Sequence, residues 1–148
     1  MILLLKGFLM NFTTSVQTCL HQYAAFSGRA SRSQYFYFSL FNLIALISLV
    51  LFGACFGTLL WGADHSFVVE GFALGSGLLF SAFLSALFAL LMALPNWAVS
   101  VRRLHDSDKS GWWLLLGLLP YVGSLIVLVL LLLPSTNGPN RYGQAEGA

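Results

Sequence analysis

Long uncharged stretches dominate the pattern of hydrophobic and polar positions along the chain. Three windows contain no Asp, Glu, Lys or Arg: residues 33–63, 71–101 and 110–140. A hydrocarbon core of about 30 Å is crossed by roughly 20 helical residues, so each window has room for one span with its interfacial ends. The pattern predicts an all-α, helical transmembrane protein with about three membrane-spanning helices, forming a single helical membrane domain over residues 1–148.

Aromatic and small residues characterise the first two predicted segments, 36–61 and 72–97. Aromatic residues stand at the ends of both, where rings prefer the headgroup region. Gly53 and Gly57 lie four apart in the first segment, and the second has a stripe of small residues at Ser81, Ser85, Ala89 and Ala93. Both patterns predict close helix packing within the chain, with a homo-oligomer surface as the alternative.

The third segment, 112–133, has two possible forms because Gly117 and Pro120 interrupt it. The first expectation is one kinked span ending before Pro134. The alternative is a re-entrant bend at Pro120 that is shielded by protein. A kinked span would carry the polar tail, 134–148, across the membrane, whereas a re-entrant bend would return it to the side of entry.

The beginning of the chain is predicted to form an amphipathic helix over residues 11–26. Phe12, Val16, Leu20 and Tyr23 recur there at helical spacing with polar residues between them. This helix either lies in the membrane interface or packs on the other helices. The preceding apolar residues are too short and lack the basic start of a cleaved signal peptide, and translation from Met1 or from Met10 remains open.

The distribution of basic residues predicts the orientation. Lys and Arg in short loops stay on the cytoplasmic side of a bacterial inner membrane. Basic residues precede the first segment and follow the second, whereas the loop over residues 62–70 contains none. We therefore expect a multi-pass protein of the inner, or plasma, membrane with its N-terminus and the 100–111 loop in the cytoplasm. The side of the C-terminus depends on the form of the third segment.

Composition excludes several function classes. Charged residues make up 8% of the chain, far below the roughly 25% of soluble domains, and the formal net charge of +2 is too small to indicate nucleic acid. The two cysteines, Cys19 and Cys55, fit no metal-ligand spacing. Coupled transport and intramembrane proteolysis use ionisable groups at membrane depth, which the three windows lack. We expect no enzyme activity, no cofactor and no metal.

Eight of the twelve charged residues fall into three short clusters, which are the candidates for recognition. The candidate residues for lipid or partner binding, or for setting topology, are Arg29, Arg32, Arg102, Arg103, His105, Asp106, Trp112, Trp113, Asn140 and Arg141. Arg29 and Arg32 would share a helical face if their segment is helical. Asp106 is expected to pair with Arg102 or Arg103, and His105 to bond locally.

Three motifs resemble those of a known family. They are FSGRASRSQY at residues 26–35, RRLHD at 102–106 with SGWW at 110–113, and NGPNRYG at 137–143. Together they are similar to the domain of unknown function 805 family, small bacterial inner-membrane proteins that include the YhaH-like proteins. The resemblance extends from about Tyr23 to Gly143 and implies helical spans in a bacterial inner membrane, without an established activity. The sequence departs from the usual pattern at Phe36, commonly tryptophan, and at Asp108, commonly glycine.

The resulting functional expectation is a protein that acts through contacts with membrane lipids or other membrane proteins. Anionic lipids would meet an arginine-rich cytoplasmic face, because each basic group near the surface contributes about 1 kcal/mol toward acidic headgroups. The alternative role for these arginines is to set topology. The rival function is a small oligomeric transporter or channel built around the glycine and serine faces.

Overall fold

A computed structural model of the chain is helical throughout its regular parts. It describes residues 2–61 and 67–144, with side chains described for residues 11–59 and 75–144. The elements in order are α1 (Ile2–His21), α2 (Arg32–Trp61), α3 (Phe67–Asp106), a 3-10 helix (Gly111–Leu118) and α4 (Val122–Leu132). No β-strand occurs in the described ranges, so the predicted all-α class is confirmed.

The N-terminal helix α1 differs in extent from the predicted amphipathic helix. It begins at Ile2 and ends at His21, so the helix includes the apolar residues before Met10, while residues 22–26 lie beyond its end. Cys19 is fully buried, and the ring of Phe12 contacts that of Tyr37 edge-on with centroids 6.1 Å apart. These contacts favour the second interpretation of this segment, a helix packed on the rest of the protein.

Among the residues whose side chains are described, two segments are long and apolar enough to cross a membrane, Arg32–Leu59 in α2 and Gly75–Asp106 in α3. Only 11% of each apolar window is buried inside the protein, which is typical of surfaces that face lipid rather than an aqueous core. Ser31 caps α2, because its Oγ accepts a hydrogen bond from the backbone N–H of Gln34 at 3.3 Å. α3 continues through Pro95 to Asp106, nine residues beyond the end of the predicted segment 72–97.

The chain divides into two compact units. The first, here called the polar unit, comprises residues up to Leu40 and from Leu94 onward, and the second, the apolar unit, is Phe41–Ala93. In the apolar unit, helices α2 and α3 are antiparallel. The rings of Phe56 and Phe80, for example, stack with centroids 5.1 Å apart.

Glycines allow the two helices of the apolar unit to approach closely. A Cβ added to Gly53 would lie 2.7 Å from the carbonyl oxygen of Gly77 and would overlap Ser81. A Cβ on Gly77 would overlap the carbonyl of Gly53 and lie 3.1 Å from the Cα of Gly57. The packing faces predicted from Gly53, Gly57 and Ser81 therefore meet each other within one chain.

The third predicted segment is a helical hairpin instead of one kinked span. A 3-10 helix of 8 residues and α4 of 11 residues are joined by a turn at Pro120 and Tyr121. Each arm is about 16 Å long, roughly half of a 30 Å hydrocarbon core. A Cβ on Gly123 would overlap the carbonyl of Leu116, so the arms lie in direct contact. The structure thus has the bend at Pro120 of the second alternative and not a single kinked helix.

Candidate functional site

Two of the candidate arginines converge on Asp106, the last residue of α3. Its carboxylate forms buried ion pairs with Arg29, whose Nη2 lies 2.9 Å from Oδ1, and with Arg103, which bonds Oδ2. Both arginine side chains are 0% exposed and that of Asp106 is 3% exposed. Ser135 donates a further hydrogen bond to Oδ2. We name Arg29, Arg103 and Asp106 the ionic cluster.

The end of α3 brings the ionic cluster residues into position. Asp108 N–H donates to the carbonyl of His105 at 3.0 Å, and Lys109 N–H donates to that of Leu104 at 2.9 Å. These two bonds form a Schellman motif, in which the residue after the helix adopts a left-handed conformation, here Asp108 with φ +55°. Glycine adopts this left-handed conformation most easily, which agrees with the glycine that is common at this position in the family that the motifs resemble.

The C-terminal tail is held on the ionic cluster by its backbone. Arg29 donates to the carbonyls of Thr136 at 2.8 Å and Gly138 at 2.7 Å. Arg103 donates from Nε to the carbonyl of Leu131 at 3.0 Å and also bonds that of Leu133. These arginines thus supply charge-assisted donors to carbonyls at and beyond the end of α4, which lack helical partners.

Polar contacts extend the tail along the end of α3. Asn140 donates from its amide to the carbonyl of His105 at 2.9 Å, and the His105 ring stacks on Tyr142 with centroids 3.8 Å apart. Arg141 pairs with Asp108 at 3.1 Å, where both side chains are largely exposed. All three charged clusters of the sequence therefore meet within the polar unit.

Several sequence expectations about these residues need correction. Arg29 and Arg32 do not share a helical face, because Arg29 precedes α2 and is buried while Arg32 is exposed. Asp106 pairs with Arg103, as one expectation held, but its second partner is Arg29 and not Arg102. Sequence reasoning missed Tyr142 and Ser135. Tyr142 stood within the quoted NGPNRYG motif, whereas no sequence signal pointed to Ser135.

The arginines that were expected to meet anionic lipids differ in their accessibility. Arg29 and Arg103 are buried and bound within the chain, so they cannot meet a headgroup in this arrangement. Arg32 is exposed and donates to the carbonyl of Leu133 at 3.1 Å. The ionic cluster holds the tail through hydrogen bonds to its backbone carbonyls.

Arg102 is buried, with 2% of its surface exposed, and its side chain bonds that of Gln22. Its Nη1 donates to the side-chain carbonyl of Gln22, just after the end of α1, and its backbone carbonyl accepts from Ala30 N–H at 3.1 Å. Among the described residues, nothing accepts a hydrogen bond from its Nε or Nη2.

An apolar groove of about 940 Å³ lies in the polar unit along α3, the 3-10 helix and α4. Its apolar lining includes Trp97, Trp112, Leu115, Leu118, Val127 and Leu131, and its polar lining includes Tyr35, Ser100, His105, Ser110 and Tyr142. Trp112 is 78% exposed and Trp113, just beside it, is 46% exposed. Both tryptophans begin the hairpin, next to the polar tail.

His105 and Asp106 do not converge on a common point. The Asp106 carboxylate is turned to the ionic cluster, whereas the His105 ring stacks on Tyr142 and its Nδ1 lies 3.3 Å from the carbonyl oxygen of Gly28. In the part of the chain that the structure describes, no group of three or more His, Cys, Asp or Glu side chains is placed to bind a metal. The site consists instead of buried arginines beside an apolar groove.

Comparison with known proteins identifies relatives of the same kind. Residues 23–144 match the family model described as "Protein of unknown function (DUF805)". The chain is 39% identical over 124 residues to inner membrane protein YhaH of Escherichia coli, covering 84% of this chain and 88% of that protein. It is 37% identical over 126 residues to inner membrane protein YhaI of Escherichia coli, covering 84% and 87%. No solved structure matches.

The matched range begins just after α1 and ends with the tail, so it contains the ionic cluster, both long apolar helices and the hairpin. It also agrees with the extent of the resemblance seen in the three motifs. With its apolar helices and this match over most of its length, the chain is a helical membrane protein that belongs to the DUF805 family.

Proposed function

We propose that the chain is a multi-pass inner-membrane protein that acts by binding a membrane lipid in the apolar groove of its polar unit. The observation that carries the proposal is the groove itself. Its volume of about 940 Å³ falls within the roughly 300–1,000 Å³ range of small-molecule sites. Such sites are mostly apolar with a few placed polar groups, and this groove has both kinds of lining.

The chemistry of the lining favours an amphipathic ligand. Leucines, valines and tryptophans would contact an acyl chain, while the hydroxyls of Ser100, Ser110 and Tyr142 offer hydrogen bonds to the glycerol or ester region of a lipid. Trp97 and Trp112 are 65% and 78% exposed, so large apolar surface continues from the groove onto the protein exterior. An exposed surface of this kind suits a ligand that arrives from the bilayer rather than from water.

The proposed orientation places the polar tail with the basic clusters in the cytoplasm. The tail bonds the end of α3, so Arg141 would lie on the same side of the membrane as Arg29 and Arg103, in agreement with the positive-inside rule. The hairpin, with arms of about 16 Å, would then enter and leave the membrane on this same side. Reporter fusions at the C-terminus should be active only as cytoplasmic reporters. Periplasmic activity there would disprove this orientation.

The groove is tested by filling it. Gly117 lines the groove, and a Cβ at this position would meet nothing within 4 Å. The Gly117→Leu variant should therefore fold normally and occupy part of the groove with its side chain. We expect the purified variant to retain at most about one tenth of the phospholipid that the native chain retains. This corresponds to a loss of about 1.4 kcal/mol of binding free energy. Native mass spectrometry from detergent measures the retained lipid.

The matched control is Gly75→Leu, which adds the same side chain at another glycine with open space around it, in α3 of the apolar unit. This variant should retain lipid like the native chain. Equal lipid retention by both variants and the native chain would overturn the groove as a lipid site. Equal loss in both variants would show instead that retained lipid coats the protein nonspecifically.

The rival function, an oligomeric transporter or channel, has less support. It was expected to assemble around the glycine and serine faces of the first two segments. Gly53, Gly77 and Ser81 already pack against one another within the apolar unit, so this part of the faces is occupied by the chain itself.

A further inference from the structure

The buried charges of the polar unit do not balance. In the described part of the chain, three guanidinium groups are buried, those of Arg29, Arg102 and Arg103, against the single buried carboxylate of Asp106. That carboxylate is already bound by Arg29, Arg103 and Ser135. Burying a charge is unfavourable unless it is paired and hydrogen-bonded, so the guanidinium of Arg102, which has no carboxylate partner among the described residues, calls for an anionic one.

The guanidinium of Arg102 is also under-used as a hydrogen-bond donor. Only Nη1 has an acceptor among the described side chains, the neutral amide of Gln22, while Nε and Nη2 are shielded from solvent and have none. Nε and Nη2 lie on the same edge of the planar group and point in nearly parallel directions. This fork matches two oxygens of a phosphate or carboxylate, which arginine binds through two parallel hydrogen bonds.

The buried guanidinium of Arg102 contacts a residue of the protein surface. Gln22 is an exposed residue immediately after the end of α1, and its side chain contacts the Arg102 guanidinium directly. A rotation of this one flexible side chain would open a path from the surface to the guanidinium. The polar unit also contains the apolar groove, but Arg102 is not part of its lining.

We infer that Arg102 is an anion-binding site whose Nε and Nη2 take a phosphate group, either the headgroup phosphate of an anionic phospholipid or free phosphate, while Gln22, bonded to Nη1, moves aside for the anion to enter. The site is independent of the proposed lipid groove, and Gly117→Leu should leave it intact. Phosphate is favoured because a membrane surface presents phosphates at high density beside the basic end of α3.

The decisive variant is Gln22→Glu, which provides a carboxylate of nearly the same shape to Arg102 from within the chain. It should raise the melting temperature in the absence of phosphate, because it pairs the buried charge. It should also remove the response to added phosphate or anionic lipid. Gln17→Glu is the matched control, since Gln17 is an exposed residue of α1 and the variant makes the same change in net charge.

The experiment measures the melting temperature of the full chain in three conditions. These are phosphatidylcholine nanodiscs, the same nanodiscs with a minority of phosphatidylglycerol, and phosphatidylcholine nanodiscs with millimolar inorganic phosphate at constant ionic strength. The native chain and Gln17→Glu should be stabilised by about 3 °C or more in at least one of the two anionic conditions. Stabilisation by phosphatidylglycerol alone identifies a lipid phosphate, and stabilisation by inorganic phosphate identifies a free one.

A second variant, Arg102→Gln, removes the guanidinium and should respond to neither condition; should it fail to fold, Gln22→Glu still tests the site. A Gln22→Glu chain that responds like the native chain would overturn the proposal. The absence of any response in the native chain would do the same. Loss of lipid from Gly117→Leu bears only on the groove, so the two proposals can fail separately.

Discussion

The two units of the molecule stabilise their helices by opposite means. The apolar unit joins α2 and α3 through glycines that let the backbones touch, with Ser81 as a buried polar residue. The polar unit joins the segment before α2, the end of α3 and the tail through a buried carboxylate with two guanidinium partners. Between helices that face lipid, apolar association gains little, so contact depends on close packing or on hydrogen bonds. This chain uses close packing in one unit and ion pairs in the other.

The comparison predicts that the stability of the polar unit is the more sensitive to a single substitution, one that removes the buried negative charge. Asp106→Asn keeps the shape of the side chain but leaves two buried guanidinium groups without a countercharge. We expect the free energy of unfolding to fall by about 3–5 kcal/mol, the usual cost of breaking a buried ion pair from one side. Thermal or denaturant unfolding in detergent measures this change.

The matched control for that prediction is Asp108→Asn, because Asp108 pairs with Arg141 at the surface. Exposed ion pairs contribute only about 0–1 kcal/mol, so this variant should unfold almost like the native chain. A similar loss for Asp106→Asn and Asp108→Asn would show that the burial of the ionic cluster is not what makes it stabilising.

Much of this contrast follows from the sequence, and the rest depends on distant contacts. Apolar windows predict helices α2 and α3, and the spacing of Gly53 and Gly57 predicts close packing, because both signals are local. The partner of Arg29 is 77 residues away, and no pattern of spacing selects Asp106 for it over another carboxylate. Only the resemblance of the motifs grouped these residues, without saying what they contact.

The third segment and Gly77 show two different limits of sequence reasoning. The choice between a kinked span and a hairpin depends on whether the rest of the protein shields the backbone of the turn at Pro120 from lipid. Hydropathy does not report such shielding. Gly77 could have been found, since it lies one helical turn before Ser81 on the same face of α3. The predicted stripe of small residues begins at Ser81 and therefore leaves Gly77 out.

In the apolar unit, two glycines of α3 provide an internal test of close packing. Gly77→Ala would place a Cβ against the backbone of Gly53, so we expect a loss of about 1–3 kcal/mol, as in overpacked cores. Gly75→Ala adds the same methyl group into open space. It should be neutral or stabilising by up to about 1 kcal/mol, because alanine is the better helix former. Unfolding of the two variants side by side measures the difference, and equal effects would contradict the close approach.

The smallest expected effect concerns Asp108, where the chain departs from the glycine common in its family. Its φ of +55° costs an L residue roughly 1–2 kcal/mol, although Asp bears this conformation better than most. Asp108→Gly should relieve that strain while losing the exposed ion pair with Arg141, worth about 0–1 kcal/mol, so the net change should be within about 1 kcal/mol and favourable. The backbone carbonyl of residue 108, which accepts from Arg141 at 2.7 Å, remains in the variant.

A double-mutant cycle separates the two contributions at this position. Arg141→Gln should cost less in the Asp108→Gly background than in the native chain, and the difference measures the side-chain ion pair alone. Because both side chains are exposed, that difference should shrink as salt is added, whereas relief of backbone strain is insensitive to salt. A destabilised Asp108→Gly chain at both low and high salt would mean that the aspartate holds the end of α3 by something other than its pair with Arg141.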